Sequence, residues 1–461
     1  MSNTSSHHSK PFSVMRDPVH GDVLLTAEEL ALIDTPQFQR LRGVKQLGTA
    51  YLVFPSAVHT RFEHSIGTLH VTRQLIASVN RNFELDPRNH LRIADEEARV
   101  ICLAALVHDV THMPFGHNIE DQSGLIARHD SAERYERTLG AHTALGRRLD
   151  EFGVREDVMA VLAPRPGGRE VPPYWTQLTS DTICSDILDY LARDAYFTGL
   201  RLSVDERLGS YFQIERKSGN LYIDLSKREL LREDILSEIV RMLEARYYFS
   251  ERVYYHHAKV IAGAMIARAV ESVLGAGLIE DDALFDRTDD SLLSLLVERA
   301  EAGEPELAAR VRRLVEGVRQ RVLYKRAAVF PRYENEDAQR QLVTRFFARD
   351  AFAARRAAEE RIREAAAFAT GRDVDVIVYC PAARMQLKEA ATHVLWPGER
   401  EPRPLGEYAD RVPRLADLEQ SYRNLWKFYV LADTDDRGTL AVIQKVALEE
   451  FEGARNAYRV G

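Results

Sequence analysis

Val107-His108-Asp109-Val110-Thr111-His112-Met113-Pro114-Phe115-Gly116-His117 is the stretch on which the reading of this chain turns. It follows an apolar run over residues 100–107, Val-Ile-Cys-Leu-Ala-Ala-Leu-Val, which predicts a buried helix. Continued as helix, His108 and His112 stand four residues apart and Asp109 and His112 three, so the spacing predicts one shared face. Pro114 is expected to end the helix, because its ring cannot continue the hydrogen-bond ladder. Ionisable groups at the end of an apolar helix are costly to bury unless something binds them, and a divalent metal would answer that cost.

On the N-terminal side, Thr60 and Glu63 have capping-box spacing, and Ile66, Leu69, Val71 and Leu75 follow as an apolar stripe. His64 is therefore expected near a helix start beside Arg61, where amide donors and a guanidinium suit a phosphate. On the C-terminal side, Glu120 is expected on a loop and His129 on the next helix. Residues 163–168 read as a flexible loop and a candidate lid. Residues 181–194 predict a helix in which Asp186, Tyr190 and Asp194 line one face.

Farther out, residues 1–12 read as a disordered tail, followed by a turn at 17–21 and a strand at 22–25. Thr26 caps one helix; Thr35 and Pro36 open another that points Phe38, Leu41 and Val44 inward and leaves Arg40, Arg42 and Lys45 for anions. Residues 221–225 predict a hairpin strand, and 236–246, 252–274 and 290–323 predict helices. Residues 341–370, rich in Ala, Arg and Glu, read as a solvated arm or oligomer contact in preference to a nucleic-acid surface. Strands at 373–380 and 426–431 and a helix at 439–451 complete the chain. The fold class expected is mainly α: a helical body over 13–330, then a helical arm and a small C-terminal α+β lobe over 331–461.

The 461 residues, 45% hydrophobic and 29% charged, fit a soluble globular protein with room for one large domain plus a smaller one, or two or three in all. A net charge of −8 argues against a general nucleic-acid coat but leaves room for a local basic pocket for a polyphosphate. No apolar run is long enough for a membrane span, and the first ten residues lack the apolar core of a signal peptide. Cys102, Cys184 and Cys380 lie far apart, which suggests neither a thiolate zinc site nor a disulfide framework and fits a reducing cytoplasm.

The pattern HD-x-x-H-x-P-F-x-H-x-x-E, with His64 before it and Asp186 after it, is similar to the H…HD…D signature of the HD phosphohydrolase superfamily. The likeness extends to Asp17-Pro18-Val19-His20-Gly21, Ile33-Asp34-Thr35-Pro36-Gln37-Phe38-Gln39-Arg40-Leu41-Arg42, Lys45-Gln46-Leu47-Gly48, Val53-Phe54-Pro55 and Arg61-Phe62-Glu63-His64-Ser65. Over residues 17–200, and patchily to 259, the chain resembles the deoxynucleoside triphosphate triphosphohydrolases. That resemblance implies the HD-domain helical phosphohydrolase fold and cleavage of a dNTP into deoxynucleoside and inorganic triphosphate.

It also implies roles for individual residues. His64, His108, Asp109 and Asp186 would hold one divalent metal; of Mn, Fe, Zn and Mg, the imidazole donors favour the first three. His117 would be the acid, His112 a phosphate contact, and Glu120 with His129 an orienting pair. Gln46 and Asp194 would hold the sugar 3′ hydroxyl, Leu47, Tyr190 and Tyr255 would wall the deoxyribose, and Arg61 would bind phosphate. Asp34, Gln39 and Arg42 would read the guanine of an activating GTP or dGTP, with assembly into a dimer or tetramer. Three positions depart from the family: Ile187 stands where the human member has a triphosphate-gripping lysine, Ser13 replaces a lysine and Arg16 an asparagine at the activator site. Arg246 is a candidate to compensate at the first. A phosphodiesterase or nuclease acting on another phosphate ester, and a nucleotide sensor with incidental catalysis, are the alternative functions; taken singly, the same polar and aromatic residues could be ordinary core groups.

Overall fold

Three helices frame the motif: one begins at Arg61 and carries His64, one ends at Val107 just before His108, and one carries Asp186, Tyr190 and Asp194. Arg61–Leu85 starts where the Glu63 side chain accepts the Thr60 amide at 2.6 Å. It packs against Asp95–Val107 and Ser185–Thr198. Asp95–Val107 opens with three acids that suit a helix N-terminus, then buries every residue from Val100 to Val107. Ser185–Thr198 closes at Gly199, whose φ of 71° is the left-handed conformation that stops helices. The computed structural model describes residues 12–123, 126–202, 205–347, 351–382 and 390–460; of the expected tail, residues 1–11 lie outside these.

The helix before the central motif stops sooner than its periodicity predicts. His108 is already its cap, residues 109–111 form a turn, and Pro114 terminates nothing. The reason is tertiary: guanidinium groups compete for the carbonyls that a continued helix would use. Arg40 donates to Val110 O at 2.9 Å and His112 O at 2.7 Å, Arg134 donates to Thr111 O, and the Tyr135 hydroxyl donates to His108 O at 2.8 Å. Arg40 is thus consumed in holding backbone rather than left for an anion, and Lys45 sits 3.5 Å from Asp289. Glu120 and His129 also exchange places with expectation: the acid lies on the helix His117–Ser123, the histidine on the loop before Ala132–Leu139.

At the N-terminus, strands Ser13–Asp17 and Gly21–Leu25 form an antiparallel hairpin across the expected turn. In the second half, Glu233–Phe249 runs through one π-helical turn at Ser250–Tyr254 before His257–Gly275 begins, so no helix starts at 252. The long helix expected over 290–323 is two, Asp289–Glu301 and Pro305–Arg319, with proline at the start of the second. Strands Lys325–Pro331, Lys427–Ala432 and Val376–Tyr379 pair antiparallel in that spatial order, and the first straddles the boundary expected at 330.

The segment 341–370 is not a solvated arm. It comprises Glu336–Phe346 and Phe352–Thr370, and the latter buries Arg355, Ala358, Glu359, Ile362 and Ala366 against Arg437–Glu450 and the sheet. Its buried charges are matched: Arg355 meets Glu271 at 2.6 Å and Arg268 meets Glu359 at 2.5 Å. One apolar cluster extends from Val23 to Phe451, so body and lobe share a core. Among the described residues, no helix is long and apolar enough to cross a membrane.

Candidate active site

A cavity of about 470 Å3 opens between the central motif, the helix Ser185–Thr198 and the start of His257–Gly275. On its floor, donor atoms of His64, His108 and Asp186 lie within 4.8 Å of one another. His64 Nε2 is 3.1 Å and His108 Nε2 3.7 Å from Asp186 Oδ1, and Asp109 comes within 3.7 Å of His108 and 3.8 Å of His64. Each imidazole spends its other nitrogen elsewhere: His64 Nδ1 on Asp189 Oδ2 and His108 Nδ1 on Ala105 O, both at 2.7 Å. Both Nε2 atoms are buried with no hydrogen-bond partner, which is the arrangement of two lone pairs aimed at a shared cation.

The electrostatics agree. Burial pushes the His64 imidazole down, yet the neighbouring carboxylates of Asp186, Asp189 and Asp109 outweigh this and raise it to about 10. Burial pushes Asp109 up, but Arg61, His112 and His108 hold it well below the usual carboxylate range. Asp186 is likewise lowered against burial by the neighbouring imidazoles of His108 and His64. Two imidazoles and two ionised carboxylates fit a divalent transition metal.

Beside this floor stands a second histidine layer. His112 and His129 stack with ring centroids 3.6 Å apart, and His117 meets them edge-on at 5.1 and 4.9 Å. Glu120 Oε2 bonds His129 Nδ1 at 2.9 Å; Glu120 orients from behind and does not line the cavity. Burial, then Arg61 and His129, hold His112 well below its ordinary value. Arg61 ion-pairs with Asp109 while its buried Nε stays unpartnered. The backbone between these groups is tight: Phe115 and Gly116 have φ of 57° and 37°, and a Cβ on Gly116 would sit 3.0 Å from His112 Nδ1 and 3.1 Å from Arg61 Nη2.

Gln46, Leu47, Tyr190, Asp194 and Tyr255 all line the same cavity, as do Ile187 and Arg246. The buried Gln46 Oε1 and Arg246 Nη1 have no partner. Asp194 is gripped by His59 Nε2 at 2.8 Å and by the Tyr254 hydroxyl at 2.7 Å. Tyr254, not foreseen, also packs edge-on to Tyr190 at 6.4 Å, and so shares the wall expected of Tyr255 alone. Asn118, Arg128, Lys259, Tyr379 and Tyr422 are further lining residues that sequence reasoning passed over. Asn118, next to His117, and Arg128, next to His129, carried a local signal; Tyr379 and Tyr422 arrive from the far end of the chain. Asp189, which bonds His64 Nδ1, lies one helical turn beyond Asp186, a spacing visible in the sequence.

The residues expected to read an activator lie apart from this cavity. Asp34 and Arg42 are exposed. Arg42 Nε donates to Gln39 Oε1 at 2.9 Å, Gln39 Nε2 donates to Ile33 O at 2.9 Å, and the Arg42 guanidinium lies 3.5 Å over the Phe62 ring. Ser13 and Arg16 are exposed on the hairpin, where Arg16 pairs with Asp22.

Residues 61–194 match the HD domain and residues 226–452 match the HD associated region. The chain is 31% identical over 291 residues to an uncharacterized protein of Methanocaldococcus jannaschii, covering 61% of this chain and 54% of that one. It is 27% identical over 356 residues to the deoxynucleoside triphosphate triphosphohydrolase SAMHD1 of Gallus gallus, covering 68% and 55%. To the SAMHD1 homolog of Dictyostelium discoideum it is 29% identical over 341 residues, covering 70% and 61%. The chain thus spans between 54% and 61% of the length of these three relatives.

Proposed function

From a chain that carries an HD domain and its associated region, we propose a metal-dependent phosphohydrolase that splits a dNTP into deoxynucleoside and inorganic triphosphate. The observation that carries this reading is the convergence of two buried, unpartnered imidazole nitrogens and the Asp186 carboxylate, with Asp109 within 3.8 Å of both imidazoles, on the floor of a cavity of about 470 Å3. Ligand pockets run from roughly 300 to 1,000 Å3, so a nucleotide fits. The names of the SAMHD1 relatives support the substrate class.

His64, His108, Asp109 and Asp186 would hold one divalent metal, which would supply Lewis-acid chemistry at the phosphate nearest the sugar. Arg61 and His112 take the reacting phosphate, and both offer a buried nitrogen without a partner. His117 protonates the departing 5′ oxygen, with His129, steadied by Glu120, beside it. Gln46 and Asp194 hold the 3′ hydroxyl, while Leu47, Tyr190, Tyr254 and Tyr255 crowd the place of a 2′ hydroxyl. Arg246 supplies charge for the triphosphate tail in place of the missing lysine at Ile187. GTP or dGTP binding through Asp34, Gln39 and Arg42, with assembly of a homo-oligomer, is the regulatory part of the proposal.

The test is to incubate the protein with each dNTP and Mn and to separate the products. Inorganic triphosphate with deoxynucleoside is the expected result; pyrophosphate, monophosphate or no product overturns the reading.

A further inference from the structure

Behind His64 lies a run of buried charge that neither metal nor substrate uses directly. Asp189 has no exposed surface. Its Oδ2 accepts His64 Nδ1–H at 2.7 Å. Arg193 closes on both its oxygens, Nε to Oδ2 at 3.0 Å and Nη2 to Oδ1 at 2.9 Å. His20 Nε2 meets Oδ1 at 2.6 Å. The remaining arm of Arg193 reaches Asp17 Oδ2 at 2.8 Å, and Asp17 Oδ1 accepts the amides of Val19 and His20 at 2.9 and 2.8 Å. The hairpin turn is therefore tied to Asp189 twice, directly through His20 and through Asp17 and Arg193.

A histidine that ligates through Nε2 must carry its proton on Nδ1, and a carboxylate there fixes both tautomer and ring plane and makes the imidazole a better donor. That carboxylate can hold the ring steady only if it is itself held. Arg193 and His20 do so from two sides, and the crowding at Gly67, where a Cβ would come 1.9 Å from Asp189 Oδ1, leaves it nowhere to turn.

We propose that Asp189, clamped between Arg193 and His20, is the positioning residue for His64, and that the N-terminal hairpin thereby sets the affinity of the site for its divalent metal. This rests on the metal reading above. His20 is the accessible handle: its side chain is 13% exposed and stacks on His70 at 5.1 Å.

The experiment is a metal titration of the full chain, with Mn followed by calorimetry and Co(II) by its visible absorption. His20→Ala is expected to weaken both metals about tenfold, the lower end of what such outer partners contribute. His20→Gln, which keeps an N–H for Asp189, should recover most of that loss, and saturating Mn should restore turnover in His20→Ala. Asp189→Asn should weaken binding more; should it fail to fold, judged by melting without metal, the His20 pair still decides. Equal affinities in the unsubstituted protein and His20→Ala overturn the inference, as does a glutamine no better than alanine. An unsubstituted protein that binds neither metal overturns the metal reading itself, and the inference with it.

Discussion

Two places in this molecule were singled out for nucleotides, and they differ in what their polar groups do. On the cavity floor, His64 Nε2, His108 Nε2 and Arg246 Nη1 are buried without partners. On the surface at residues 34–42, Arg42 bonds Gln39, Gln39 bonds a carbonyl, and the guanidinium rests on Phe62. A buried unsatisfied polar atom costs about 1–3 kcal/mol, so a cluster of them marks a place shaped for something else to fill. A satisfied surface cluster is stable as it stands and must exchange its bonds for a ligand's. The first site is legible without its ligand; the second can be judged only by adding one.

The contrast can be tested from both ends. The largest effect is expected at the floor: Asp186→Ala removes a donor and its charge, and turnover should fall on the order of a thousandfold, since metal activation supplies several kcal/mol. Chelation should match this in the unsubstituted protein, with Mn restoring activity there but not in the variant; retained activity in either case breaks the metal reading.

Gly67→Ala comes next. Helix propensity favours alanine by about 1 kcal/mol, but a Cβ at 1.9 Å from Asp189 Oδ1 and 2.2 Å from Arg193 Nη2 cannot be accommodated without moving a buried ion pair. Urea unfolding should show a loss of about 2–3 kcal/mol or more; a gain would mean that the two helices can separate freely.

Ile187→Lys should act more gently. Position 187 is buried at the cavity wall, and a cation there should lower KM for dNTPs about fivefold, as one added charge contact of about 1 kcal/mol would. An unchanged or higher KM counts against the placement of the triphosphate tail.

The smallest energies are at stake on the surface. Sedimentation with GTP or dGTP should show a larger species, and Arg42→Ala should lose that response. If nucleotide changes neither mass nor rate, the 34–42 cluster only supports the fold.

How far the sequence carried the reading depends on how local each cause was. The capping of Arg61–Leu85 by Glu63, the face shared by Asp186, Tyr190 and Asp194, and the turn leading into the strand at 22–25 all follow from spacings of a few residues, and the structure has them. The end of the helix at Val107 was missed because the competitors for its carbonyls, Arg40 and Arg134, come from elsewhere in the chain. The segment 341–370 read as solvated because its charges look like those of a surface. They are buried because Glu271 and Arg268, some ninety residues earlier by sequence, neutralise Arg355 and Glu359.

By itself, then, the sequence determined which donors this protein owns and the short-range geometry that puts them on helix starts and turns, because hydrogen-bond periodicity and capping act within one or two turns. Only the tertiary structure decided that His64 and Asp186, over a hundred positions apart, face one another with their donor atoms 3.1 Å apart, and that Tyr379 and Tyr422 close the same cavity. Contacts of that kind are set by what the whole core must bury, and no local pattern encodes them.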